Sequence, residues 1–322
     1  MSSASTLSVR VARKATEAAD ICTFELVGLD GGPLPAFSAG SHVDVALPNG
    51  LTRQYSLCND PKETHRYLIG VLRDPASRGG SQAMHEQVQQ GQLLQISAPK
   101  NHFPLAHDAK RSLLLAGGIG VTPILCMAER LAITGADFEM HYSTRSRERT
   151  AFYDRIASSA YASQVQFHFD DGGPGQKLDI AALLAVPASG VHLYVCGPKG
   201  FMDAVLNTAR VQGWPESQLH YEFFAADVAK SASDASFEIK LASSGRIITV
   251  LKDQTVTQAL SAAGVEVQTS CEQGVCGTCL TRVLEGLPDH KDMYLTPEEQ
   301  AANDQFTPCC SRSKTPLLVL DL

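Results

Sequence analysis

Cys271-Glu-Gln-Gly-Val-Cys276-Gly-Thr-Cys279 has the spacing C-x4-C-x2-C, and a further thiol stands at Cys309 after twenty-nine intervening residues. This is the plant-type [2Fe–2S] spacing. Two irons need four thiolates, three of them from one loop that wraps closely around the cluster. Gly274 and Gly277 suit such a loop, because backbone N–H groups can then turn inward with no Cβ in the way. A structural zinc site would need a second C-x2–4-C knuckle, which the chain lacks; free cysteines packed as small apolar residues are the other alternative. Cys310 adjoins Cys309, and spacing alone does not separate the two as fourth ligand.

The flanking segments read as a small α+β domain. Phe237–Leu241 alternates like a half-buried strand, Ser243-Ser244-Gly245 turns, and Ile247–Val250 is β-branched. Val256–Ala263 has helical spacing and stops at Gly264, while Thr281–Leu284 and Leu317–Leu320 read as further strands. The pattern is that of a β-grasp ferredoxin module. Residues 237–322 hold eleven acidic and seven basic side chains. Such an acidic surface can steer a basic partner or simply stay solvated.

Upstream, Arg111-Ser-Leu-Leu-Leu-Ala-Gly117-Gly118-Ile-Gly120-Val-Thr122-Pro123 is an apolar strand entering a glycine-rich turn, followed by helical spacing from Ile124 to Thr134. The strict G-x-G-x-x-G dinucleotide fingerprint is broken at its third glycine by Pro123. Thr122 is expected to cap the helix and Pro123 to occupy its first turn, leaving N–H groups facing a pyrophosphate. Strands at Phe138–Tyr142, Val165–Phe169 and Val191–Cys196 alternate with helical patterns at Phe152–Ile156, Ile180–Leu184 and Phe201–Gln212. That alternation predicts a parallel sheet with its ligand at the carboxyl ends of the strands. Cys196-Gly197-Pro198 ends one of them, where it can approach the ligand of Gly117–Thr122 or serve only as a buried residue before a turn.

The N-terminal third carries short β-like runs at Leu7–Val11, Cys22–Val27, His42–Leu47, Arg53–Leu57, Tyr67–Val71 and Leu93–Ser97, without helical periodicity. An antiparallel barrel is the expectation. Two pieces carry chemistry. One is Arg53-Gln54-Tyr55-Ser56-Leu57; the other is Arg78-Gly79-Gly80-Ser81, an anion-site pattern ahead of the helix-like Gln82–Gln89.

The 322 residues, 44% hydrophobic and 19% charged, suffice for two or three buried cores. A net charge of −7 offers no excess of basic residues to track nucleic acid or an anionic membrane. The polar Met1–Thr6 lacks a signal pattern, and Leu113–Met127, the most apolar stretch, is cut by three glycines and Pro123, so a cytoplasmic chain is expected. The nine cysteines are then unlinked.

Together these segments resemble the phthalate dioxygenase reductase type of flavin and iron–sulfur reductases, within the ferredoxin reductase superfamily. The resemblance covers nearly the whole chain, through Arg53-Gln-Tyr55-Ser56-Leu-Cys-Asn-Asp, Arg78-Gly79-Gly80-Ser81, Gly117–Pro123, Cys196-Gly197-Pro198, the cysteine loop and Cys309-Cys310-Ser-Arg. It implies a flavin barrel over 1–107, a nicotinamide α/β domain over 108–226, a linker at 227–236 and a ferredoxin domain over 237–322. It places Arg53 at the flavin phosphate, Tyr55 against the isoalloxazine and Ser56 near its reactive nitrogen. Arg78, Gly79, Gly80 and Ser81 are implied to bind an FMN phosphate, with no adenine-binding insertion evident. Cys309 is implied as fourth ligand beside Cys271, Cys276 and Cys279, and Phe224 as the aromatic residue covering the flavin. Ser56, Cys196 and Phe224 thereby stand where hydride moves, while Gly117, Gly118, Gly120, Thr122, Pro123, Arg145 and Gly197 border the nicotinamide nucleotide.

The resemblance implies NADH, although the arginines of Ser143-Thr-Arg145-Ser-Arg147-Glu148-Arg149 suit the 2′-phosphate of NADPH. The implied partner is a terminal Rieske-type oxygenase, served by a monomeric reductase passing electrons from NADH through FMN and [2Fe–2S]. The alternatives are a stand-alone reductase donating to a haem protein or small acceptor, and a non-enzymatic electron carrier.

Overall fold

Strands β1 (Thr6–Ala18) and β2 (Ile21–Gly28) pair as an antiparallel hairpin whose turn puts Asp20 in the left-handed region, at φ +63°. They join β3 (Ser41–Ala46), β4 (Thr52–Ser56), β5 (Tyr67–Leu72), β6 (Leu93–Ser97) and the two-residue β7 (Lys100–Asn101) in the order β4-β3-β6-β1-β2-β5, with β7 on β3. An antiparallel bridge between Leu57 and Ile69 brings the two ends of that order together, so the sheet curls into the expected antiparallel barrel. Period-2 alternation decides its inside: Val9 and Val11, Phe24 and Leu26, Val43 and Val45, Ile69 and Val71 fill one core with Ala83 and Met84 of α1 (Gly80–Glu86). Each such burial stabilises by about 1.5–3 kcal/mol for the larger side chains.

The second sheet is wholly parallel. It comprises β8 (Arg111–Gly117), β9 (Asp137–Thr144), β10 (Val165–Phe169), β11 (Val191–Cys196) and β12 (Leu219–Glu222), in the order β10-β9-β8-β11-β12. Helices α2 (Val121–Thr134), α3 (Tyr153–Ala157), α4 (Ile180–Leu183) and α5 (Lys199–Val211) make the crossovers. Central β8 is buried from Ser112 to Gly117, which is why it reads as a continuous apolar run. Leu114, Met140, Tyr142 and Tyr194 pack against Ile124, Leu125 and Ala128 of α2, and the same core takes in Ile21, Cys58 and Phe103 from the barrel side. Barrel and parallel sheet accordingly belong to one compact unit ending at Glu222, with a second unit from Phe223 onward. The computed structural model describes residues 6–173, 175–224 and 235–322; the linker expected at 227–236 lies outside the described residues except for Ala235 and Ser236.

In the second unit, β13 (Phe237–Leu241) and β14 (Ile247–Val250) form a hairpin. After α6 (Val256–Ala262) come β15 (Thr281–Glu285), the short pair β16 (Pro288–Asp289) and β18 (Arg312–Ser313), α7 (Pro297–Ala302), β17 (Gln305–Phe306) and β19 (Leu317–Leu320). The order β14-β13-β19-β15-β17, with β13 and β19 parallel, is the β-grasp arrangement. Thr255 and Gln258 close a capping box at the start of α6, and Val256, Ala259 and Leu260 press onto Ile239 and Leu318. No helix among the described residues is long and apolar enough to cross a membrane.

Every expected strand and helix is present, but β1 runs on to Ala18, α1 starts at Gly80, and β7, β12, β16, β17, β18 and α7 have no counterpart in the periodicity. Helix α2 begins at Val121, three residues before the expected Ile124, because a 3-10 turn at Gly118–Gly120 starts the coil early. Strand β12 has no periodicity of its own and exists through its pairing with β11.

Helices α2 and α3 are joined by an ion pair, Arg155 to Glu129 at 2.6 Å. Burial raises the Glu129 carboxyl against the opposing pull of Arg155, and its second oxygen has no hydrogen-bond partner among the described residues. Removing the cation should therefore hurt more than removing the anion. Arg155→Met is expected to destabilise near the lower end of the roughly 3–5 kcal/mol typical of broken buried pairs, since 29% of the Arg155 side chain stays exposed. Glu129→Gln should cost less, and urea unfolding that ranks the two the other way refutes the account.

Candidate functional site

The carboxyl ends of β8, β9, β11 and β12 meet at one edge of the parallel sheet. Here the chain leaves β8 through Gly117 and Gly118, and Gly120 passes so close to β11 that a Cβ would strike the Cys196 carbonyl and lie 2.6 Å from the Gly197 nitrogen. Only glycine fits that approach. The expectation for Thr122 is corrected: with Gly120 at the N-cap, Thr122 falls inside the first turn, and its hydroxyl donates to the Ile119 carbonyl at 3.1 Å instead of capping an N–H. Pro123 does lie in that first turn.

Beside Cys196, the register of β11 and β12 sets Glu222. Its carboxylate accepts a hydrogen bond from Ser56 Oγ at 3.2 Å, linking the last residue of β4 to the last residue of β12. Burial pushes the Glu222 carboxyl from 4.5 up to about 7, against a smaller opposing pull from that bond. The Cys196 thiol is raised as well, by burial first and by the neighbouring Glu222 second. Ser56 and Cys196 are buried and Glu222 is partly buried, and together they form a polar group that can hold or pass a proton near neutral pH. Sequence reasoning found the first two and missed Glu222; the signal was an acidic residue two positions before the aromatic Phe224. Phe224 follows β12 and is 38% exposed.

On β4, burial drives the Tyr55 phenol well above its ordinary value, outweighing the nearby Arg53 guanidinium. Arg53 crosses Gly80, where a Cβ would lie 2.7 Å from its side chain, so Arg53 and Arg78–Ser81 are brought together. Ser81 is partly committed, its hydroxyl accepting the Asp74 N–H at 3.1 Å. Two arginines beside a glycine turn suit a phosphate in charge.

Beyond β9, the three arginines differ. Arg147 lies over the Tyr153 ring, 4.2 Å from its centre, and 3.8 Å from Asp154. Arg149 reaches Asp20 at 3.2 Å. Arg145 is exposed, and the backbone N–H groups of Asp170 and Asp171 bond to the carbonyls of Thr144 and Arg145.

In the second unit Cys271, Cys276, Cys279 and Cys309 are all buried. The Cys271 thiol contacts those of Cys276 and Cys309, and Cys309 also meets Cys279. The Cys276 and Cys309 thiols, then the N–H groups of Gln273 and Val275, hold Cys271 well below its ordinary value. The same contacts raise the Cys276 and Cys309 thiols, so the four sulfurs share their protons as one group. At Gly277, φ is +68° and a Cβ would strike the Tyr294 ring. Three sulfurs from a loop with inward N–H groups, met by the sulfur of Cys309, fit a [2Fe–2S] cluster as donor set and as cradle.

The comparisons agree with this geometry. Residues 239–314 match the 2Fe-2S iron-sulfur cluster binding domain. A vanillate O-demethylase oxidoreductase of Pseudomonas putida is 60% identical over 95% of this chain and 96% of its own. The crystal structure described as phthalate dioxygenase reductase, "a modular structure for electron transfer from pyridine nucleotides to [2Fe-2S]", is similar with a TM-score of 0.81 and 39% identity, over 98% of both chains. An intact type IV self-sufficient cytochrome P450 monooxygenase matches equally well, with 39% identity and a TM-score of 0.81, but over only 41% of its chain. Fold and site thus define an electron-transfer oxidoreductase with flavin, nicotinamide and [2Fe–2S] modules. The chain belongs to the family of oxygenase reductases that includes phthalate dioxygenase reductase and vanillate O-demethylase oxidoreductase.

Glu222 supplies a test. Because its folded value is raised, the stability it contributes is fully present below about pH 4.5 and is lost as pH climbs through about 7. Glu222→Gln should escape that loss, gaining up to roughly 3 kcal/mol over wild type by pH 8 and nothing at pH 4. Parallel stability profiles of the two proteins would discredit the assignment.

Proposed function

We propose that this chain is the NADH-dependent reductase component of a Rieske-type oxygenase system, with FMN as its flavin and Cys271, Cys276, Cys279 and Cys309 as cluster ligands. The observation that carries the reading is the end-to-end likeness to a vanillate O-demethylase oxidoreductase, with the phosphate, proton and thiol groups all present along it. FMN held by the barrel residues would supply two-electron acceptance from the nicotinamide and one-electron release, and a cluster held by the four cysteines would supply one-electron relay toward the oxygenase.

In this reading residues 1–107 hold FMN, 108–226 hold NADH and 237–322 hold the cluster. Arg53 and Arg78–Ser81 bind the FMN phosphate, and Tyr55 packs on the ring. Gly117, Gly118 and Gly120 admit the pyrophosphate, Thr122 and Pro123 shape the helix start behind it, and Cys196 and Gly197 border the nicotinamide. Phe224 covers the flavin face. Ser56, bonded through Oγ to Glu222, would hold a proton at the mouth of the flavin site, and the Glu222 value of about 7 suits its exchange at working pH. Cys309 is preferred over Cys310 because its sulfur meets Cys271 and Cys279, whereas Cys310 bonds Thr307.

NADH is preferred over NADPH on charge availability. Two of the three arginines after β9 are occupied by Tyr153, Asp154 and Asp20, and Arg145 is bordered by Asp170 and Asp171. The oxygenase of a vanillate-type O-demethylase is the first partner to test. A haem acceptor is the second reading, favoured by the P450 likeness.

Stopped-flow reduction should give a kcat/KM at least tenfold higher for NADH than for NADPH, with flavin bleaching before the cluster; parity between the two would sink the NADH assignment. Reconstitution with a Rieske-type vanillate oxygenase should support NADH-dependent substrate turnover. Faster transfer to a P450 haem than to that oxygenase would select the second reading.

A further inference from the structure

Behind the cysteine loop lies a chain of buried polar groups that the reading above does not use. Asp292 is fully buried at its side chain. One carboxylate oxygen accepts the Leu295 N–H at 2.9 Å, and the other accepts the Ser311 hydroxyl at 3.3 Å. Ser311 Oγ stands 3.1 Å from Thr307 Oγ1, which stands 3.2 Å from Cys310 Sγ. Cys310 in turn touches Cys309, and a Cβ on Gly274 would strike the Cys310 sulfur, so the chain ends against the cysteine loop.

A carboxylate only accepts, and this sets the direction of the Ser311 bond and biases those beyond it. Ser311 must spend its proton on Asp292. Its oxygen already takes the Lys291 N–H at 3.2 Å, leaving a lone pair for the Thr307 hydroxyl. With its proton turned toward Ser311, Thr307 offers an acceptor to Cys310. The thiol proton then has two acceptors on Thr307, the hydroxyl oxygen at 3.2 Å and the backbone carbonyl at 3.7 Å. His290 is the other titratable group against Asp292, with its Nδ1 3.4 Å from the carboxylate; neither ring nitrogen has a hydrogen-bond partner among the described residues.

We propose that Asp292 is a positioning residue for the iron–sulfur cluster: its carboxylate orients the Ser311–Thr307–Cys310 chain so that Cys310 donates no hydrogen bond to the ligand sulfur of Cys309. The inference rests on the cluster reading of the four cysteines. Hydrogen bonds to cluster sulfurs and local charge both set the potential. A buried negative charge and a withheld donor act in one direction, keeping the cluster hard to reduce and so a good donor to its partner.

Asp292→Asn tests this because an amide can donate to Ser311 and reverse the chain, removing the Thr307 hydroxyl as acceptor and leaving the Cys310 proton shared between the Thr307 carbonyl and Cys309. Redox titration of the cluster-loaded protein, followed by cluster absorbance and its electron paramagnetic resonance signal, should show reduction favoured at least tenfold, about 59 mV for one electron. Asp292→Asn combined with Cys310→Ala should take back part of that rise, since the charge is gone but the donor is too. Cys310→Ala alone should stay within twofold of wild type. Ser311→Ala cuts the chain with the carboxylate in place, and should raise the potential by less than Asp292→Asn does; it decides the matter if Asp292→Asn fails to take up its cluster. An unmoved potential in Asp292→Asn or Ser311→Ala, the same rise with and without Cys310, or a large shift in Cys310→Ala alone would each overturn the proposal. Wild-type protein without cluster absorption would instead overturn the ligand reading beneath it.

Discussion

A carboxyl group in a protein interior needs a proton, a partner or both, and Glu222 meets that constraint by facing Ser56 across 166 residues of sequence. The pairing requires three things at once. Strand β12 must run parallel to β11 so that Glu222 falls beside Cys196; β4 must end at Ser56; and the core shared through Cys58, Phe103 and Tyr194 must hold barrel and sheet in one register. The polar edge of the first unit is therefore a product of both sheets.

The second unit solves a different problem. A loop that aims several N–H groups at sulfur cannot also form a regular ladder, so residues 271–279 carry no strand or helix. Their geometry has to be imposed from outside. The Ile239, Leu260 and Leu318 core supplies a rigid base, Tyr294 closes over Gly277, and the Asp292–Ser311–Thr307 chain fills the space behind Gly274. That polar filling is permissible because every hydroxyl in it finds a partner.

Much of this was legible in the residues. Period-2 runs such as Val9–Val11 and Phe24–Leu26, the continuous apolar β8 and the C-x4-C-x2-C spacing each carry their own local signal, so three modules could be placed in order. What could not be read is what depends on a distant neighbour. Strands β7 and β12 are too short for periodicity and exist only as partners of β3 and β11. Glu222 and Asp292 look like any other acidic residue until burial is known. Thr122 reads as a cap by residue type, and only the early 3-10 turn at Gly118–Gly120 shows that the helix has already begun.

The arginines after β9 make the same point for charge. Counting residues gives three cations where a 2′-phosphate could bind, yet a guanidinium stacked on Tyr153 or paired with Asp20 would first have to give up that contact. Cation–π and ion-pair contacts at such partly exposed positions are each worth about 0.5–1 kcal/mol, and the cost falls directly on the affinity of the competing ligand. In this chain, then, a 2′-phosphate would compete with contacts that Arg147 and Arg149 already make. Composition alone cannot report that, because the engaging partners, Asp20 on the β1–β2 turn and Tyr153 on α3, come from separate elements that only the fold brings together.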